Sequence, residues 1–138
     1  MIVDASVIVG WFLPEEQSAE RDELRETILA SSDGAAVPGV CWMEVAHALV
    51  RALRRGRLPP EAAGPAAATL EELMTLIPTR DVDPGAALRL ALDIGSGAFD
   101  AAYLVLARDS DEPLVTHDRR LAELAAKAGV ALREAAES

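Results

Sequence analysis

Residues 97–116 read GAFDAAYLVLARDSDEPLVT, and this stretch decides the fold. Between Phe99 and Ala107 every side chain is apolar or aromatic except Asp100. On a helix turning about 100° per residue, Asp100 shares its face with Leu104 and Ala107, while Ala101, Val105 and Leu106 cover the other sides. A helix that is apolar all round is a buried helix. After a short turn comes Leu114 to Thr116, a strand with few polar positions, as expected in a parallel sheet covered on both faces.

The rest of the chain repeats that alternation. Ile2 to Val3, Ala35 to Val37 and Val130 to Leu132 read as further short strands, and helical patterns fit 5–13, 17–30, 41–55, 60–75, 84–94, 98–108 and 119–128. Gly56 and Gly129 stand just past two of the helix ends, and Pro14, Pro38, Pro59, Pro60, Pro78, Pro84 and Pro113 fall at or near the proposed boundaries. Strands separated by helices predict an α/β fold, a three-layer α/β/α sandwich with a mainly parallel central sheet and right-handed crossovers. At 138 residues the chain fits one domain, 1–138, large enough to bury a core without disulfides or structural metal.

Composition narrows the classes. Hydrophobic residues make up 51% of the chain, which excludes a disordered protein, and the 4% of aromatics leaves the core to Ala, Leu and Val. A net charge of -10 argues against a general nucleic-acid coat protein, though a local basic patch remains compatible with it. Many acids sit in PEEQSAERDELRE, residues 14–26, which reads as a solvated helix face. The single cysteine, Cys41, excludes an internal disulfide and fits a reducing compartment. No basic leader or membrane-length apolar run is present, so a cytoplasmic protein without a membrane partner is expected.

Ligands of open parallel sheets sit at the carboxyl ends of the strands, so the acids that follow strands are the ones to inspect. Asp4 ends the first strand, Glu44 lies in the first turn of the helix after the second, and Asp118 follows PLVT. Asp100 begins a helix running back from the same edge. Each has a plain alternative: Asp4, Asp100 and Asp118 suit helix N-caps, and Glu44 suits a solvated helix start. Together they would repel one another unless pKa values rise or cations bind. With no Cys or His ligand spacing, oxygen-only ligation points to Mg²⁺ or Mn²⁺, and such ions usually serve phosphate chemistry. His47 and His117 adjoin the cluster in sequence without ligand spacing of their own. Arg51, Arg54 and Arg55, with Arg57 beyond, continue the Glu44 face and suit either the phosphates of a polynucleotide or a solvated helix end that complements the dipole.

Four segments carry a resemblance. MIVDAS at 1–6, P-x5-EVAHAL at 38–49, FDAAYLVLA at 99–107 and LVTHDRRL at 114–121 resemble, in order and spacing, the PIN-domain ribonucleases of the VapC toxin type. The resemblance implies a compact α/β/α sandwich, RNA cleavage with Mg²⁺ or Mn²⁺, a homodimer, and a small antitoxin as protein partner. It implies an acidic active site of Asp4, Glu44, Asp100 and Asp118, all four as metal ligands with Asp4 and Asp100 foremost, supported by Ser6 and Thr116. His47 stands where relatives often carry Asn. Phosphoaspartyl folds also place acids at strand ends, but their phosphatases want a second Asp two residues after the first, where this chain has Ser6. Their receiver domains want a Lys late in the sheet, whereas the only Lys here, Lys127, is in a helix. The non-catalytic alternative is an α/β interaction module whose acids are helix caps.

Overall fold

The protein, described here from a computed structural model covering residues 1–30 and 34–133, is built from very short strands and longer helices. In chain order these are β1 (Ile2–Val3), α1 (Ala5–Gly10), a 3₁₀ turn at Pro14–Glu16, α2 (Ala19–Ala30), β2 (Val37–Pro38) and α3 (Val40–Arg54). A 3₁₀ turn at Pro60–Ala62, α4 (Ala63–Leu76), β3 (Thr79–Arg80), α5 (Pro84–Ile94), α6 (Ala98–Ser110), β4 (Leu114–Val115) and α7 (Arg119–Ala128) follow. The tail of the one-domain span, 134–138, and residues 31–33 lie outside the described residues.

The strands run parallel. Ile2 and Val3 pair with Leu114 and Val115, and Val37 and Pro38 pair with Thr79 and Arg80. A parallel bridge from Ile2 to Ala36 joins the two ladders, with Val3 N–H donating to the Ala36 carbonyl at 3.0 Å and Ala36 N–H to that of Met1 at 3.0 Å. A second bridge, Leu114 to Leu132, adds an extended residue beyond β4. The spatial order is therefore β3, β2, β1, β4, Leu132, and the direction of winding reverses between β1 and β4. Crevices for ligands form at such a reversal.

Helices cover both faces. α5, α6 and α7 pack on one another, with α6 lying along β1, β2 and β4, while α1, α3 and α4 form a second group. Ile2, Val3, Val37, Leu114 and Val115 are consequently fully buried, as strands between two helical layers must be. In α6 every residue from Ala101 to Ala107 is buried, the all-round burial that its sequence predicts. Among the described residues, no single helix is long and apolar enough to cross a membrane.

Most elements fall within a few residues of the sequence reading, and three differences have a clear physical cause. The helix expected over 5–13 stops at Gly10, because residues 11–13 tighten into bonds back to Ile8, Val9 and Gly10 ahead of Pro14. The Gln17 amide then caps the freed carbonyls of Gly10, Trp11 and Leu13 at 2.9, 3.2 and 3.2 Å. β3 is absent from the sequence reading, since Thr79 and Arg80 offer no apolar run. It is an edge strand held by Trp42 Nε1 on Thr79 Oγ1 (2.8 Å) and by Arg80 on Glu112 (2.6 Å). The last expected strand, Val130 to Leu132, contracts to the single bridge at Leu132.

Candidate active site

Asp4 leaves β1 and caps α1, and it is the one buried charged side chain among the described residues, 6% exposed. Its Oδ2 accepts the Ser6 N–H at 3.3 Å, the Ser6 hydroxyl at 2.5 Å and the Thr116 hydroxyl at 2.8 Å. Ser6 Oγ in turn accepts the His117 N–H at 3.0 Å, and Thr116 Oγ1 accepts the Asp118 N–H at 2.9 Å. Two hydroxyls thus stitch the end of β1 to the end of β4. Asp118 caps α7, its Oδ1 accepting N–H groups of Arg120 (2.9 Å) and Leu121 (3.4 Å).

The other two acids are not caps. Asp100 is the third residue of α6, whose N-cap is Gly97, and no side-chain bond caps that end. Glu44 lies beyond the first turn of α3: Gly39 already has helical dihedrals, so the helix begins at Val40, one residue before the expected start. What holds Glu44 is the Tyr103 hydroxyl, which donates to its Oε1 at 2.8 Å.

Asp4, Glu44, Asp100 and Asp118 line one cleft of about 990 Å³, together with Ser6, Glu16, His47 and Arg51 and the apolar side chains of Val9, Val40, Met43 and Phe99. Their electrostatics are coupled. The Glu44 carboxyl is held above its usual pKa by burial and by the charges of Asp4 and Asp100, against the lowering effect of the Tyr103 hydrogen bond. Asp100 is likewise raised, by burial and then by Asp118 and Asp4, with Arg120 opposing. Among the described residues none of the four acids is in an ion pair.

Among the described residues, no three carboxylate, imidazole or thiol side chains stand together as a ready-made cage for an ion. A hard ion such as Mg²⁺ takes only one or two carboxylates and keeps several waters, so this oxygen-only donor set in a roomy cleft fits it. Asp4 Oδ1 accepts no hydrogen bond among the described residues, and since no buried side-chain oxygen or nitrogen among them lacks a partner, it is open to the cleft that Asp4 lines.

The arginines divide. Arg51 lines the cleft and, with Arg55 and Arg57, a smaller groove beside it. Arg54 is exposed and lines neither. Arg57 is paired with Glu15 and Glu16, so it is not free for phosphate. His47 lines the cleft rim, whereas the half-buried His117 has its pKa lowered by burial and by Arg21. Sequence reasoning missed Tyr103, Met43 and Phe99. Tyr103 left a signal: a phenol three residues after Asp100 in a buried helix needs a partner for its hydroxyl.

A parallel α/β sandwich with four carboxylates gathered at its topological switch point is the class that fold and site define. The chain belongs to the PIN domain family, whose sequence profile matches residues 1–127. It is 38% identical over 130 residues to Ribonuclease VapC3 of Pyrobaculum aerophilum, an alignment covering 89% of this chain and 92% of that protein. Its fold is similar to the crystal structure of PAE2754 from Pyrobaculum aerophilum, with a TM-score of 0.70, 24% identity, and coverage of 89% of this chain and 77% of that one. It is also similar to a chain of a toxin–antitoxin complex from Klebsiella pneumoniae, with a TM-score of 0.58, 16% identity and 85% of each chain covered.

Proposed function

We propose that this protein is a divalent-metal-dependent endoribonuclease and the toxin of a toxin–antitoxin pair. The observation that carries the reading is the convergence of Asp4, Glu44, Asp100 and Asp118 on one cleft without a paired cation. Family membership and the ribonuclease name of the relative support RNA as substrate, and the toxin–antitoxin complex among the structural neighbours supports an antitoxin partner. We take the working form to be a homodimer.

Asp4 and Asp100 would be the principal ligands of Mg²⁺ or Mn²⁺, with Glu44 and Asp118 completing the shell directly or through water. A bound ion supplies Lewis-acid polarisation of the phosphate and a water of lowered pKa. The protein's part is to hold the acids in place. Ser6 and Thr116 occupy Oδ2 of Asp4 and leave Oδ1 available; the α7 cap occupies Oδ1 of Asp118 and leaves Oδ2. Capping and ligation therefore use different oxygens of one carboxylate. No side-chain nucleophile is required, which suits a cleft whose nearest thiol, Cys41, is buried with its pKa pushed up to about 12 by desolvation.

A thermal melt tests the metal. At Mn²⁺ about tenfold above its Kd the wild type is expected to gain about 1.4 kcal/mol, a rise of about 5 °C in Tm, and Asp4→Asn protein none. A wild type that neither shifts nor cuts RNA would favour the interaction module whose acids only cap helices. For the arginines, neutralising Arg51 and Arg55 together is expected to weaken RNA binding and to flatten its log–log salt dependence by about 0.7 for each phosphate left without its arginine. An unchanged slope assigns both to a solvated helix end.

A further inference from the structure

Tyr103 is the largest fully buried side chain among the described residues, yet its hydroxyl bonds an acid of the cleft, Glu44, rather than a core carbonyl. It donates to Glu44 Oε1 at 2.8 Å, and the buried Cys41 thiol, three residues before Glu44 on α3, shares the neighbourhood of that hydroxyl. Glu44 needs such a donor. Its side chain has three rotatable bonds, its backbone position is past the helix start, and the charges of Asp4 and Asp100 repel it. Tyr103 itself cannot move far, because α6 is buried on all sides from Ala101 to Ala107.

Asp100 and Tyr103 are three residues apart and so lie on one face of that helix. α6 therefore carries one acid of the cleft and the donor that fixes a second, which comes from α3. We infer that Tyr103 is a positioning residue that holds Glu44 by Oε1 so that Oε2 serves the metal and RNA chemistry of the cleft. The inference rests on the ribonuclease reading. It also explains why a phenol occupies a helix whose other buried positions are aliphatic: the ring fills the core and the hydroxyl sets the spacing of two acids.

The test uses the full chain as wild type, Tyr103→Phe, Glu44→Ala and the double variant, with Mn²⁺ binding read from the electron-spin resonance of the free ion and RNA cleavage measured beside it. Phe keeps the ring packing and removes one oxygen. Loss of a bond that orients a ligand commonly weakens metal binding or rate by about 10-fold or more, so Tyr103→Phe is expected to bind Mn²⁺ about 10-fold more weakly and to cut RNA with kcat lowered by a similar factor and KM unchanged. In the Glu44→Ala background the same change is expected to have no further effect, because the group it acts through is gone. Wild-type Mn²⁺ affinity and rate in Tyr103→Phe, or losses that multiply in the double variant, would overturn the assignment while leaving the ribonuclease reading intact. A wild type that neither binds Mn²⁺ nor cuts RNA overturns both.

Discussion

Asp100→Asn protein is expected to lose RNA cleavage by a factor of about 10³ or more and, without divalent metal, to melt above the wild type. The loss of rate corresponds to about 4 kcal/mol of transition-state stabilisation, within the several kcal/mol that charge neutralisation by a bound ion supplies. The gain in stability has a different origin. Burial and the charges of Asp118 and Asp4 hold the Asp100 carboxyl above its unfolded pKa, so its ionised form costs the folded state free energy. That cost is absent below the unfolded pKa, enters as pH rises from there through the folded pKa, and is fully present above the folded pKa. Asn removes the charge with little change of shape. Relief of an uncompensated charge typically yields about 1 kcal/mol, or about 4 °C in Tm at this chain length. The difference from wild type should vanish when the melt is run below about pH 3.9, where Asp is protonated in both states, and shrink when Mn²⁺ stabilises only the wild type. An Asp100→Asn enzyme with wild-type activity would remove Asp100 from the site. One that is inactive but less stable would mean that Asp100 holds the fold, not a ligand.

The two acids most visible in the sequence, Asp4 and Asp118, follow strands whose apolar residues sit at full burial, and each also has the N-cap role its surroundings predict. For these positions local propensity and site geometry agree, and a sequence reader meets both at once. Asp100 is legible for the opposite reason, as a charge in a helix with no polar face. Glu44 can be located in sequence but not in register, since its place relative to the helix start depends on Gly39 and its anchor lies 59 residues away. β3 is hidden because an edge strand needs neither apolar alternation nor length when a neighbouring strand, an indole and an ion pair hold it. The division among Arg51, Arg54, Arg55 and Arg57 is equally invisible: the helical wheel groups them, while the acids at Glu15 and Glu16 that claim Arg57 lie 42 and 41 residues away in the chain. Periodicity gives the face of a helix, and tertiary partners decide which members of that face are free.

Thr116→Val tests how much of the site depends on the stitch between β1 and β4. Valine matches threonine in shape but removes the hydroxyl that donates to Asp4 Oδ2 at 2.8 Å and accepts the Asp118 N–H at 2.9 Å. The first of these bonds is to a buried carboxylate, the kind that contributes most, and the expected destabilisation is about 2 kcal/mol, a fall of about 7 °C in Tm. Asp4 keeps its bonds from Ser6, so it stays on the α1 N-terminus but gains freedom to turn about that anchor. RNA cleavage should therefore fall by a factor of about 10 to 100, as is usual when a partner that orients a ligand is removed. Thr116→Ser is the decisive control, because it restores the hydroxyl while giving up a methyl group. If Ser recovers the rate and most of the melting temperature, the hydroxyl carries the effect. If Ser fails as Val does, the methyl packing of Thr116 matters more than its bonds, and the rigidity of Asp4 must come from Ser6 and the helix end alone.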